Sequence, residues 1–245
     1  MPVLPSMYSI GQGRDPAKAY DALLDTGRSL KALGFNVDFA PVADIWSNPD
    51  NKVIGDRAFA NTAEGATPFV RQAVLGLEEA GIASCVKHFP GHGDTATDSH
   101  TGSAVSYVDA KTLRQRELIP FIAGIEAGSP MVMVGHMKLP GVTDDNLPAS
   151  LSPEVVDELL RDELGFDGVV VTDALDMGAV TAFYTPEKAS VMAVQAGCDI
   201  LLMPESLPKA FDALKAAVDS GTISEERINQ SVLRIIEMRI RYGGE

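Results

Sequence analysis

The chain has 245 residues, of which 45% are hydrophobic and only 6% aromatic, and a formal net charge of −14. That length is enough to bury a full core, and the acidity excludes a broad basic face for nucleic acid. No stretch approaches the roughly 20 apolar residues of a membrane helix, and no basic n-region precedes an apolar h-region as in a signal peptide.

From the N-terminus onward, apolar runs of strand length alternate with segments of helical period. The runs are "NVDFAPV" (36–42), "SCVKHF" (84–89), "MVMVGH" (131–136), "GVVVTDA" (168–174) and "CDILLMP" (198–204). Each is continuously hydrophobic, as expected of parallel strands covered on both faces. Helices are predicted over 18–33, 65–80, 111–127, 153–164, 186–196, 207–219 and 225–241. "GQGRDP" near the start lacks the third glycine of a dinucleotide-binding loop and reads as a turn. Ser152 before Pro153 and Thr185 before Pro186 are helix-start pairs. Gly34, Gly81, Gly128, Gly165 and Gly197 each follow a helix, as left-handed stops do. Cys85 and Cys198 open apolar runs and read as buried thiols, without disulfide or zinc spacing. No repeat or low-complexity linker divides the chain, so residues 1–245 are expected to form a single domain.

The βαβα rhythm means a parallel sheet, either open or closed. Asp44, the Lys87–His88 pair, His136 and Asp173 fall at or just beyond the C-terminal ends of four different predicted strands. In a βα-barrel, functional side chains collect there. The predicted fold class is therefore α/β, a (β/α) TIM-type barrel.

"KHFPGHGDTATDSH" (87–100) holds three of the four histidines, and three chemistries compete for it. A metal site would use His88 and His92 at H-x-x-x-H spacing, but Pro90, Gly91 and Gly93 break the helix which that spacing requires. A self-bonded loop would use His92 and Asp94 to satisfy its own backbone. A proton-transfer site would use Asp98 and His100: two apart, in an extended loop, they point the same way. The carboxylate would orient the imidazole, leaving its other nitrogen as a general acid and base. Such a dyad needs a nucleophile. Asp173 closes a very apolar strand, where a carboxylate either caps the next helix or projects into the site as nucleophile, as in retaining glycosidases.

"KHFPGHGDTATDSH" and "GVVVTDALDMGA", together with "NVDFAPVADI" and "VIGDRAF", resemble the signatures of glycoside hydrolase family 3 in its β-N-acetylhexosaminidase branch. The resemblance covers nearly the whole chain. It implies a retaining hydrolase releasing terminal, non-reducing β-linked N-acetylglucosamine, as from cell-wall fragments. Asp173 would be the nucleophile, His100 the acid/base, and Asp98 the residue orienting His100. Arg57, Lys87 and His88 would hold the N-acetylated sugar, with His136 a further candidate at its strand end. No metal or organic cofactor is implied. Phosphorolysis, with phosphate replacing water, is the second reading; a remnant that binds sugar or a partner chain without turnover is the third. Family barrels have eight strands, three of them upstream with a "DQEGG" segment, whereas five are read here. An N-terminally truncated barrel is therefore expected, its open sheet edges available to a homodimer. A lost N-terminus would leave a secreted or lipoprotein location open.

Overall fold

The computed structural model describes residues 3–95 and 104–243. In chain order the helices are α1 (Met7–Gln12), α2 (Ala17–Ala32), α3 (Ala63–Glu79), α4 (Ala110–Thr112), α5 (Leu118–Glu126), α6 (Gly178–Thr181), α7 (Pro186–Ala196), α8 (Leu207–Asp219) and α9 (Glu225–Tyr242). Between α4 and α5 the chain widens into a π-helical turn, Leu113–Glu117, and Glu154–Glu163 is also π-helical. The strands are β1 (Val37–Asp38), β2 (Ala83–Phe89), β3 (Met131–Val134) and β4 (Val169–Thr172), all parallel and in sequential order. The fifth predicted run joins them through one parallel bridge, Ile200 to Val171. Among the described residues the sheet is open, with β1 and the Ile200 segment at its two edges.

Strand parity sorts the core. Val86, Val132, Val134 and Val170 face the helices and belong to the main cluster, where Phe89 and Phe121 meet edge to face at 5.5 Å. Cys85, Met131, Met133, Val169 and Val171 form a second cluster on the opposite face, joined by Phe39, Ile200 and Leu202. Alternation along a strand therefore puts Lys87 and Asp173 on that second face, two residues beyond Cys85 and Val171. Helices α2 and α3 approach closely because Gly76 lies over the α2 backbone: a Cβ there would come within 2.4 Å of the Tyr20 carbonyl oxygen.

Each predicted helix is present to within about two residues. All five predicted glycine stops take positive φ, from 66° at Gly165 to 112° at Gly197. Thr185 caps α7 through Lys188 N, and Ser152 Oγ accepts from Val155 N. The segment "GQGRDP" turns at residues 13–14 after lending its first two residues to α1, a helix not predicted, which Ser6 starts by accepting from Ser9 N. One reading needs correction. The 36–42 run pairs as a regular strand only at Val37–Asp38, because Pro41 has no N–H to donate. The pairing nevertheless continues through carbonyls: Ala40 O and Pro41 O accept from Cys85 N and Lys87 N.

A buried ion cluster ties the C-terminal helix to the sheet. Asp199, with a fully buried side chain, accepts from Arg161 at 2.6 Å, from Arg227 at 3.3 Å and from Arg234 at 3.4 Å. It also takes bonds from Ser231 Oγ and Val170 N. Removing the carboxylate would strand three guanidinium groups around a desolvated hole. Asp199→Ala is expected to cost about 3–5 kcal/mol, read in urea or thermal melts, whereas Arg234→Ala at the rim should cost under about 1 kcal/mol. Equal losses would mean that the cluster is not organised around Asp199.

Candidate active site

At the C-terminal ends of the strands, a cavity of about 210 Å³ is lined by Arg57, Lys87, His88, His92 and Asp173, with Met177 among its apolar walls. Each polar side chain arrives by a different route. Lys87 follows the inward parity of β2. His88, next along, would point the other way, but the β2–β3 register is irregular between Val86 and Phe89. Such irregularities re-aim side chains. Asp173 extends β4, held by its own N–H to Val134 O at 2.8 Å. Arg57 closes the short 3₁₀ turn Gly55–Arg57, its Nη1 donating to Val53 O.

One buried carboxylate organises this set. Asp44, 1% exposed, accepts from His88 N at 3.1 Å, from His88 Nδ1 at 2.7 Å and from His92 N at 2.7 Å. Burial alone would push its pKa up, but His88 and His92 outweigh burial and hold it below the ordinary value. With Nδ1–H donated to Asp44, neutral His88 presents Nε2 as an acceptor. Arg57 Nη2 lies 3.5 Å from that nitrogen. In its neutral form His88 can then receive a hydrogen bond in the pocket through Nε2, while Arg57 and Lys87 supply donors. Burial, with the Arg57 charge behind it, pushes the Lys87 ammonium below its usual pKa; Asp173 and Asp38 pull it back.

Asn51 supports the second wall. Its amide donates to His92 O and Thr95 Oγ1, and its carbonyl accepts from Val53 N and Ile54 N. One side chain therefore joins the loop carrying Arg57 to the loop carrying His92. Asp44 was visible in the sequence as a strand-end carboxylate, but its partners were not. Asn51 carried no signal beyond its residue type.

Several expectations change. His136 was expected to touch sugar, yet it is 1% exposed with both nitrogens occupied: Nδ1 by Ser150 Oγ at 2.7 Å and Nε2 by Ala174 O at 2.9 Å. Burial lowers its pKa, and the carbonyl partner requires the Nε2–H tautomer. It steadies the chain just after Asp173 rather than facing the cavity. Asp94 does not satisfy its own loop; it pairs with Arg116 at 3.0 Å. His88 and His92, with ring centroids 6.2 Å apart, meet through Asp44, and no group of three or more metal-ligating side chains converges among the described residues. Asp98 and His100 lie outside the described residues. Asp173 Oδ1 accepts from Ala174 N at 2.8 Å, and the residue lines the cavity.

Residues 2–238 match the family described as "Glycosyl hydrolase family 3 N terminal domain". Beta-hexosaminidase A of Pseudoalteromonas piscicida is 36% identical over 235 residues, covering 88% of this chain and 39% of that protein. Beta-hexosaminidase LpqI of Mycobacterium tuberculosis is 35% identical over 243 residues, covering 96% and 62% respectively. The solved structure of a glycoside hydrolase family 3 beta-N-acetylglucosaminidase from Paenibacillus sp. superposes with a TM-score of 0.97 at 45% identity, over 99% of this chain and 47% of that one. The chain thus spans less than two thirds of the length of these relatives.

Asp44→Asn places an amide N–H₂ against groups that already donate. It is expected to destabilise the fold by about 2–4 kcal/mol and to erase the Nδ1–H signature of His88 in imidazole ¹⁵N spectra. Because the folded pKa of Asp44 is depressed, its stabilisation is present above the unfolded carboxyl value and lost as pH falls through the folded one. The variant should lack that acid limb; an unchanged limb would show that another carboxylate governs it.

Proposed function

Because the chain belongs to glycosyl hydrolase family 3, we propose that it acts on β-linked N-acetylglucosaminides, releasing the terminal non-reducing sugar with retention of configuration. The observation that carries this reading is the convergence of Asp173 with Arg57, Lys87 and His88 on one cavity at the strand ends. A sugar there offers hydroxyls and an acetamide, which need donors and an acceptor in fixed places. Arg57 and Lys87 donate, and His88 Nε2 accepts. The names of the similar beta-hexosaminidases support the same substrate class.

In this mechanism an Asp173 carboxylate oxygen attacks the anomeric carbon and the glycosidic C–O bond breaks. His100, oriented by Asp98, gives its Nε2 or Nδ1 proton to the departing oxygen. The glycosyl ester on Asp173 is then opened by water, whose proton returns to the same imidazole. Lys87 and Arg57 line the same cavity as Asp173 and are placed to donate to the sugar held beside it. Asp44 does not touch sugar; it sets the His88 tautomer that does.

Hydrolysis of 4-nitrophenyl N-acetyl-β-glucosaminide tests the reading, by this chain and by the same chain extended along its own reading frame. Turnover is expected, with Asp173→Ala lowering kcat by at least about a thousandfold and a 2-fluoro sugar trapping an ester on Asp173. An adduct on another residue would refute the assignment. Release of sugar 1-phosphate in phosphate buffer would move the reading to phosphorolysis, and sugar binding without turnover would move it to a binding role.

A further inference from the structure

Below the loop that follows β2 lies a buried acid that this reaction does not use. Glu117 is 1% exposed and ends the π-helical turn. Its Oε1 accepts from Arg116 Nε at 2.6 Å, while its Oε2 has no hydrogen-bond partner among the described residues. Glu117 is packed directly against Gly91: a Cβ on that glycine would lie 3.0 Å from Glu117 Cβ and 3.2 Å from Oε2. Arg116 reaches past it to Asp94 at 3.0 Å. The two residues therefore grip the loop on both sides of His92, whose backbone Asp44 holds from the other direction. The turn that carries both, Leu113–Glu117, is π-helical, a form that recurs at functional sites.

We propose that Glu117, with Arg116, is a positioning residue that fixes the 91–94 turn and so aims His92 and His88 into the cavity. This rests on reading that cavity as the sugar site. The groups facing Glu117 are Arg116 on its own turn, Asp94 on the loop after β2 and Asp44 on the loop after β1. Burial pushes the Glu117 carboxyl up to about 7; Arg116 opposes this, and Asp94 and Asp44 add to it. The grip is charge-assisted, so it is strongest when Glu117 is ionised. Stability runs the other way. With the folded pKa raised, the protonated native state is favoured, and that contribution fades as pH rises from the unfolded carboxyl value through about 7.

The test follows the imidazole resonances of His88 and His92 in the free 245-residue chain from pH 5 to 8.5, beside melting temperatures. Wild type should show a shift step near neutrality in His92, and a melting temperature that falls from pH 5 to about 7 and is level above it. Glu117→Gln should abolish the step, flatten the fall, and weaken N-acetylglucosamine binding about 3- to 10-fold by calorimetry. Asp94→Asn, which cuts the arm to the loop and leaves Glu117 in place, should displace the same His92 resonances even if the first variant folds poorly. Unaltered histidine signals in both variants would overturn the proposal. Wild type that binds no sugar, yet shows the step and its loss, would sink the functional reading and leave the positioning role standing.

Discussion

The site depends on a single desolvated carboxylate. Asp44 has lost its water and can remain charged only while protein donors replace it. Those donors are two backbone N–H groups and one imidazole, from the end of β2 and the segment that follows it. Satisfying Asp44 therefore dictates the path of that segment, the tautomer of His88 and the placement of His92. The wall of the cavity is in this sense the hydration shell of one buried charge, rebuilt from protein.

The sheet contributes by parity. A side chain two residues past an inward Val or Cys must also point inward, so Lys87 and Asp173 arrive on one face from different strands without any loop having to carry them. Loops supply the remainder: Arg57 on a short 3₁₀ turn, and Asn51 linking that turn to the His92 segment. Strand β2 and the end of β4 thus carry Lys87, His88 and Asp173, and hydrogen-bonded loops carry Arg57 and His92.

Much of this was legible in the sequence, for a stated reason. Helix ends carried caps and glycine stops that act within a few residues, so their bounds could be read locally. Strand-end polarity marked Lys87, His88 and Asp173, because a polar group after a buried run is conspicuous. His136 carried the same mark and behaves differently. A strand-end histidine looks alike in one dimension whether its nitrogens meet a ligand or, as here, Ser150 and Ala174. The partners of Asp44, the bridging by Asn51 and the wide turn before α5 were not legible. Each depends on residues more than twenty positions away, or on one extra residue in a turn that no propensity marks.

The two thiols have a last consequence. Cys85 and Cys198 are fully buried, and burial pushes both well above the ordinary thiol range, so neither offers a thiolate to an oxidant or alkylating agent. They are the chain's only cysteines, and both are spent as small apolar fillers, one on the inner face of β2 and one beneath Asp199. In the folded chain neither sulfur is placed to exchange with glutathione, and any reaction at these two sites has to wait for local opening.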